Sequence, residues 1–122
     1  MRTTAYNSEW QEDAYMITML IYYRGSVGAA GAFVAQMEAE GIAADIRREP
    51  GCIRYEYFQP LDEPGTILLF DTWKDQEALD AHHASPMMKR LAELRNMFDL
   101  KMTAEKYVSV DLGEDSKYIK WE

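Results

Sequence analysis

The chain has 122 residues, of which 48% are hydrophobic, and both values are typical of one globular domain. The formal net charge of −8, from 21 acidic and 13 basic residues, repels phosphate backbones and anionic lipid, so neither nucleic acid nor a membrane is expected as a partner. The single cysteine, Cys52, cannot form an intrachain disulfide, and no Cys/His spacing indicates a zinc site.

Apolar periodicity is concentrated in one part of the sequence. Residues 16–110 are therefore predicted to form the core domain, with a polar N-terminal extension at residues 1–15 and a C-terminal tail at residues 111–122. The N-terminal stretch lacks the apolar segment of a signal peptide, and the apolar runs are too short to cross a membrane. A cytoplasmic location is expected.

The first part of the domain predicts a strand and then a helix. The segment of residues 16–24 is short and almost entirely apolar or aromatic, as in a strand covered on both faces. Residues 27–48 favour a helix because large apolar side chains recur four positions apart, with Gly41 as a bend or interruption. Pro50 and Gly51 must then end that helix by residue 49.

The middle of the chain predicts an antiparallel hairpin. Residues 52–59 and 66–73 are rich in β-branched and aromatic side chains, and the turn cluster PLDEPG lies between them. A register symmetric about this loop pairs Arg54 with Asp71 and Tyr55 with Phe70. Tyr55 would then share the drier face of the hairpin with Phe70, and Asp71 would lie on the other face.

The last part of the domain predicts two helices and a strand. Asp75 is a plausible cap for a short helix that runs to about residue 82, and Ser85 with Pro86 can begin a second helix. Apolar residues from Met87 to Phe98 recur at intervals of four, three and four, and residues 100–110 form a fourth strand. The resulting βαββαβ order is the split βαβ arrangement of ferredoxin-like α+β folds.

Two segments, RREPGCIRYEYFQP and LLFDTWKDQEALDAHHASPMMKRL, resemble the antibiotic biosynthesis monooxygenase family, and more narrowly its small quinol monooxygenase-like proteins. The matching features are Glu-Pro-Gly-Cys at 49–52 with Tyr55, Asp71 and Trp73 at a strand end, Glu-Ala-Leu at 77–79, Ala-His at 81–82, and Ser-Pro at 85–86. The resemblance covers about residues 16–110. It implies a dimeric α+β barrel, in which the sheets of a homodimer pack face to face and each protomer keeps a small cavity. The apolar first strand, which has no clean polar face, also favours a partner chain over the sheet.

The resemblance implies oxidation of a small aromatic substrate, such as a quinol, by dioxygen, with no metal, flavin or haem cofactor. This chemistry needs a dry pocket, a base for a phenolic or enolic proton, and hydrogen bonds to the resulting anion. His82 is the candidate base, because it follows Ala78 and Leu79 on the helix face expected to point inward. The alternative is that His82 only caps or packs at the helix end. His83 is expected at the rim, where it is a candidate substrate contact or simply a solvated side chain. The two adjacent rings diverge too far to bind one metal ion easily.

Asp71 is the second candidate catalytic residue. A carboxylate on a covered strand is costly unless it is paired, so we expect a bridge to Arg54 or to another base across the dimer, with a role as a proton acceptor in the cavity as the alternative. Further candidate substrate contacts, each of which could instead be a core residue, are Trp73, Tyr22, Tyr23, Tyr55, Tyr57, Met87 and Met88.

Two other functions stay open at this point. One is isomerisation of a small ketose-like metabolite on the same fold, and the other is a non-catalytic dimeric module that binds a hydrophobic ligand. Haem breakdown, which occurs in another branch of the superfamily, is disfavoured because the position of the axial histidine aligns near Ala92, and alanine cannot ligate iron.

Overall fold

The computed structural model describes residues 15–119. Its four strands form one antiparallel sheet in the order β2-β3-β1-β4, where β1 is Ile17–Arg24, β2 is Cys52–Phe58, β3 is Thr66–Trp73 and β4 is Lys101–Val108. Helices α1 (Ala29–Ala39) and α2 (Ile42–Arg47) connect β1 to β2, and helices α3 (Gln76–His83) and α4 (Met87–Met97) connect β3 to β4. This is the ferredoxin-like α+β fold that the sequence predicts.

The core lies between the helices and one face of the sheet. Alternation along β1 turns Ile17, Ile21 and Tyr23 toward the helices, and all three are buried. Burial of one such large side chain stabilises the fold by about 1.5–3 kcal/mol. The helices, β2, β3 and the residue before β4 contribute the remaining large buried apolar side chains, which are Phe33, Met37, Ile42, Ile46, Tyr55, Leu69, Trp73, Leu79, Leu91, Leu94 and Leu100.

The helical segment after β1 is broken where the sequence predicts an interruption. Gly41 has a φ of 76°, a left-handed conformation that glycine adopts without steric cost, and it separates α1 from α2. The change of direction lets α2 bury Ile42 and Ile46 under the sheet. The chain then reaches the turn at residues 49–52 directly after α2, which places that turn beside the end of β3.

The register of the hairpin differs from the prediction by one residue. Tyr55 pairs with Asp71 and Arg54 with Thr72, so Asp71 faces the helices and Arg54 lies on the opposite face. The shift arises within β2: Cys52 still pairs with Trp73, as the symmetric register requires, and a β-bulge between Cys52 and Arg54 moves the pairing of the rest of the strand by one residue. From Arg54 onward this slip reverses which side chains share a face, and the predicted Arg54–Asp71 pair is therefore wrong.

The start of α3 agrees with the prediction, and the start of α4 agrees only in part. Asp75 caps α3, and its carboxylate accepts a hydrogen bond from the Ala78 amide at 2.8 Å. Ser85 does not cap α4 with its side chain, because its buried hydroxyl has no hydrogen-bond partner within residues 15–119. Its carbonyl instead accepts from the Met88 amide, and Pro86 precedes the first helical residue.

Among residues 15–119 the four α-helices all lie on one face of the sheet, and the middle of the other face is apolar. It presents partly exposed Leu20 and Tyr22 from β1 and Leu68 and Phe70 from β3. After β4 the chain forms a short 3₁₀ helix, Gly113–Tyr118, inside the segment predicted as a tail. The predicted N-terminal extension, apart from Tyr15, lies outside the described residues. Within residues 15–119, every helix is too short or too polar to cross a membrane.

Candidate active site

A cavity of about 230 Å³ lies between the sheet and the last two helices. Its apolar walls come from the central strands, from β4 and from α4, and its polar groups come from β3, from the end of α3 and from α4. The lining residues are Met19, Ile21, Tyr23, Tyr55, Leu69, Asp71, His82, His83, Met88, Leu91, Arg95, Met102 and Ala104. An apolar cleft with a few convergent polar groups is the usual form of a small-molecule site.

His82 is the most constrained polar side chain of this cavity. Its position on α3, three and four residues after the buried Leu79 and Ala78, turns the ring inward, and only 2% of the residue is exposed. The ring stacks on Trp73, with centroids 4.6 Å apart and planes at 23°, and meets the ring of Tyr55 edge-on at 6.4 Å. These contacts leave the imidazole with one preferred orientation.

Glu49 fixes the imidazole through one of its two nitrogens. Nδ1 of His82 lies 3.2 Å from each carboxylate oxygen of Glu49, whose side chain is 15% exposed. An ionised carboxylate can only accept, so Nδ1 is the donor, and in the neutral form of the ring Nε2 is then the nitrogen with the lone pair. Nε2 has no hydrogen-bond partner within residues 15–119 and is available to a ligand.

Gly51 explains how Glu49 comes to lie beside α3. Its φ is 85°, and a Cβ placed on it would lie 2.6 Å from the Cβ of Ala78. Its carbonyl accepts a hydrogen bond from the Lys74 amide at 2.8 Å. Because only glycine permits both this conformation and this approach, the turn at residues 49–52 is held against the first turn of α3.

Asp71 lies within the cavity wall and is held by Trp73. The Trp73 indole Nε1 donates to Asp71 Oδ1 at 2.6 Å, and both residues are buried. Burial raises the pKa of the Asp71 carboxyl above its ordinary value, whereas the Trp73 hydrogen bond and the nearby His82 and His83 act to lower it. Asp71 thus retains its proton to higher pH than an exposed aspartate does.

Three tyrosines of the sheet lie at the cavity: Tyr23 and Tyr55 line it, and Tyr57 packs behind Tyr55. Burial raises the pKa of Tyr23 and of Tyr55 well above the ordinary value for a phenol, and raises that of Tyr57 to about 12. All three therefore stay neutral at physiological pH, and their hydroxyls can donate hydrogen bonds. Tyr55 also packs edge-on against Tyr57, with ring centroids 5.7 Å apart.

The structure brings together six of the predicted site residues and places the others elsewhere. The six that line the cavity are Tyr23, Tyr55, Asp71, His82, His83 and Met88. Four predicted substrate contacts do not line it, and these are Trp73, Tyr57, Met87 and Tyr22.

Three of these four lie near the cavity but behind its wall. Trp73 supports His82 and Asp71 from a fully buried position, and Tyr57 lies behind Tyr55. Met87 packs against the core, one helix position away from Met88, which lines the cavity. Tyr22 lies on the opposite face of the sheet because neighbouring strand residues alternate and Ile21 and Tyr23 face the cavity. Its prediction as a substrate contact in this cavity is therefore wrong.

Sequence reasoning missed two charged residues of the site. Glu49 belongs to the recognised Glu-Pro-Gly-Cys turn, but its contact with His82 joins residues 33 positions apart. Arg95 follows Met88 and Leu91 by seven and four positions on α4, and this helical spacing could have indicated its orientation. Within residues 15–119 no group of three or more His, Cys, Asp or Glu side chains is arranged to hold a metal ion.

Solved structures share this fold over most of their length. A Caulobacter crescentus protein, provisionally assigned as an antibiotic biosynthesis monooxygenase, superposes with a TM-score of 0.69 at 18% identity, over 85% of this chain and 98% of that one. A Bacteroides thetaiotaomicron protein of unknown function, described as a possible oxidoreductase, has a TM-score of 0.65 at 23% identity, over 79% and 99% of the two chains. Protein SO0527 from Shewanella oneidensis has a TM-score of 0.66 at 26% identity, over 79% and 92%.

Sequence comparison gives a shorter match and a family assignment. The uncharacterized protein sll1783 from Synechocystis is 36% identical over 47 residues, which are 38% of this chain and only 32% of that relative. The family model for antibiotic biosynthesis monooxygenase matches residues 16–94, more than half of the chain. With the fold and the cavity in agreement, the chain belongs to the antibiotic biosynthesis monooxygenase family.

Proposed function

We propose that this protein is a cofactor-independent monooxygenase that oxidises a small quinol-type aromatic with dioxygen. The observation that carries the proposal is the buried His82, whose Nδ1 is held by Glu49 and whose Nε2 is free in an apolar cavity. An imidazole in this state can accept a phenolic proton, and the apolar walls exclude the water that would compete for it.

The reaction begins with removal of one hydroxyl proton of the quinol by Nε2 of His82. The Glu49 carboxylate stabilises the imidazolium that forms, and the hydroxyl of Tyr55 donates to the substrate oxygen as it becomes negative. The electron-rich ring carbon then forms a bond to dioxygen, which is reduced to a hydroperoxide when it takes up a proton. The apolar groups around this position keep the anion reactive because they do not hydrogen-bond to it.

Loss of water from the hydroperoxide completes the reaction. The ring carbon that carries the hydroperoxide loses its hydrogen as a proton, and the electron pair of that C–H bond forms the carbonyl as the O–O bond breaks. One oxygen stays on the ring and the other leaves as water, so that quinol and dioxygen give hydroxyquinone and water. Asp71 is suited to protonate the leaving oxygen, because burial raises its pKa and Trp73 fixes its position. His82 and Asp71 thus act as base and acid within one cavity.

Oxygen consumption tests the proposal directly. We expect uptake with a panel of hydroquinones, and a fall of about 10²–10⁴-fold in His82→Gln, the usual contribution of a general base. Glu49→Gln should give an intermediate fall, together with loss of the fixed ring tautomer in ¹⁵N spectra of His82. Asp80→Asn, an exposed change on the same helix, is the matched control and should keep the wild-type rate.

Two results would count against the oxidation. If no aromatic supports oxygen uptake, the reaction is not an oxidation of this class. Proton exchange of a ketose-like substrate without oxygen would then support an isomerase, and thermal stabilisation by a hydrophobic ligand without turnover would support a binding module. If uptake occurs but His82→Gln does not change it, the base is another group.

We also propose that the protein acts as a homodimer through the open face of the sheet. This face presents Leu20, Tyr22, Leu68 and Phe70, each partly exposed in the protomer. Contiguous apolar surface of this kind marks protein interfaces, and two such sheets packed face to face would cover it. The cavities lie on the other faces of the two sheets, so each protomer would keep its own site.

A further inference from the structure

Arg95 brings a positive charge to the cavity that the proposed oxidation does not use. It lies on the face of α4 that also presents Met88 and Leu91, and all three side chains line the cavity. Arg95 is partly buried, and the walls near it include Met102 and Ala104 of β4. A guanidinium among apolar side chains loses hydration, which is costly unless an anion compensates it.

Arg95 differs from the other arginines in its lack of an acidic partner. Within residues 15–119 it forms no ion pair. Its one side-chain hydrogen bond in this part of the chain is weak and runs from Nη1 to the Met102 sulfur at 3.6 Å. The other five arginines of this part of the chain each bind a carboxylate, and they are Arg24, Arg47, Arg48, Arg54 and Arg90.

The two acidic residues of the site, Glu49 and Asp71, have partners other than Arg95. The Glu49 carboxylate faces His82, and the Asp71 carboxyl accepts from Trp73. Neither forms a salt bridge with Arg95. The net charge of −8 gives an anion no general attraction to this protein, so an anionic ligand would depend on a local cation such as this one.

We infer that the substrate carries an acidic group, which Arg95 binds while a ring hydroxyl reaches His82. This inference rests on the proposed function for the role of His82, but the anion site stands on its own contacts. A cavity of about 230 Å³ is smaller than the pockets of drug-sized ligands, about 300–1,000 Å³, and is suited to a single substituted ring. The substrate class is therefore a dihydroxybenzoate-like acid, which guanidinium binds in a bidentate manner.

Calorimetric titration without oxygen tests the inference with 2,5-dihydroxybenzoate and its neutral methyl ester. We expect the wild-type protein to bind the acid about tenfold more tightly than the ester, which corresponds to about 1.4 kcal/mol. Arg95→Gln should remove this preference, and Arg95→Lys should keep part of it, because a lysine retains the charge without the planar fork. Arg90→Gln, an exposed change on the same helix, should leave the preference unchanged.

Equal affinity of the wild-type protein for acid and ester overturns the inference, whether or not any variant folds, and so does a preference that persists in Arg95→Gln. Failure of the wild-type protein to bind the acid also overturns the inference. The proposed oxidation fails separately. If the acid binds through Arg95 but no oxygen is consumed, the anion site stands without the reaction. If neutral quinols are oxidised and the acid is not preferred, the reaction stands without the anion site.

Discussion

Gly51→Ala tests whether the turn that carries Glu49 is held against α3. The φ of 85° costs about 1–2 kcal/mol for a residue with a Cβ. The new Cβ would also lie 2.6 Å from the Cβ of Ala78 and 3.1 Å from Cγ of Lys74, an overlap that costs a further 1–3 kcal/mol, roughly, in a packed site. We therefore expect the free energy of unfolding to fall by about 2–5 kcal/mol.

Gly28→Ala is the matched control for this experiment. Gly28 has a φ of 88°, but a Cβ placed there would have no neighbour within 4 Å, so only the backbone cost of about 1–2 kcal/mol remains. Urea unfolding of both variants gives the steric part as a difference. Combining Gly51→Ala with Ala78→Gly should recover part of the loss, because the overlapping Cβ is gone.

If Gly51→Ala is no more destabilising than Gly28→Ala, or if the double variant shows no recovery beyond additivity, the turn is not in close contact with Ala78. The rate of oxygen uptake by the same variant gives a second test. Displacement of the turn moves Glu49 away from His82, so Gly51→Ala should also lower the rate of oxygen uptake, and misplacement of about 1 Å can cost about a hundredfold. Gly28→Ala should not change that rate.

Three further changes probe the site and the assembly. Asp71→Asn should be more stable than the wild-type protein at neutral pH. Burial raises the folded-state pKa of Asp71 above its ordinary 3.8, so the free energy of unfolding of the wild-type protein falls as pH rises from the unfolded-state pKa to the folded-state pKa. Urea unfolding at a series of pH values should therefore show a flatter pH dependence in the variant. An unchanged slope would contradict this. Trp73→Phe removes the hydrogen-bond donor to Asp71, which should lower the free energy of unfolding by about 1.5–3 kcal/mol and raise the Asp71 pKa further. A ¹³C titration of the carboxyl would record the change in pKa, and an unshifted titration argues against the hydrogen bond. Leu20→Glu should halve the mass measured by light scattering without unfolding the protomer, whereas a monomeric wild-type protein would exclude the proposed dimer.

The sequence predicted the elements of this fold well because each has a local signal. The bounds of β3 agree with the prediction, and Gly41 breaks the first helical segment where it was expected to. The predicted hairpin register was wrong because a β-bulge between Cys52 and Arg54 shifts the pairing by one residue, and residue types alone do not indicate such a bulge. Asp71 therefore pairs with Tyr55 and lines the cavity, instead of pairing with Arg54.

The site was predictable only where a side chain's direction follows from its element. His82 faces inward because it continues the buried positions of α3, and this orientation was foreseen from its spacing. The contact of His82 with Glu49 depends on how the turn at residues 49–52 packs on α3, which local sequence does not specify. Arg95 was missed for a different reason, since a charged residue beside an apolar stripe is ordinarily expected to face solvent.

The position of β4 bears on the protection of the cavity wall. All eight residues of this strand are exposed, and in the described part of the chain β1 is the one strand that pairs with it, yet it supplies Met102 and Ala104 to the cavity wall. Strands with little burial open at lower free energy than the core, and their amide hydrogens exchange sooner. β4 is thus the most exposed strand of the protomer's sheet, and we expect the amide hydrogens of the cavity wall that it forms to exchange before those of β1 and β3.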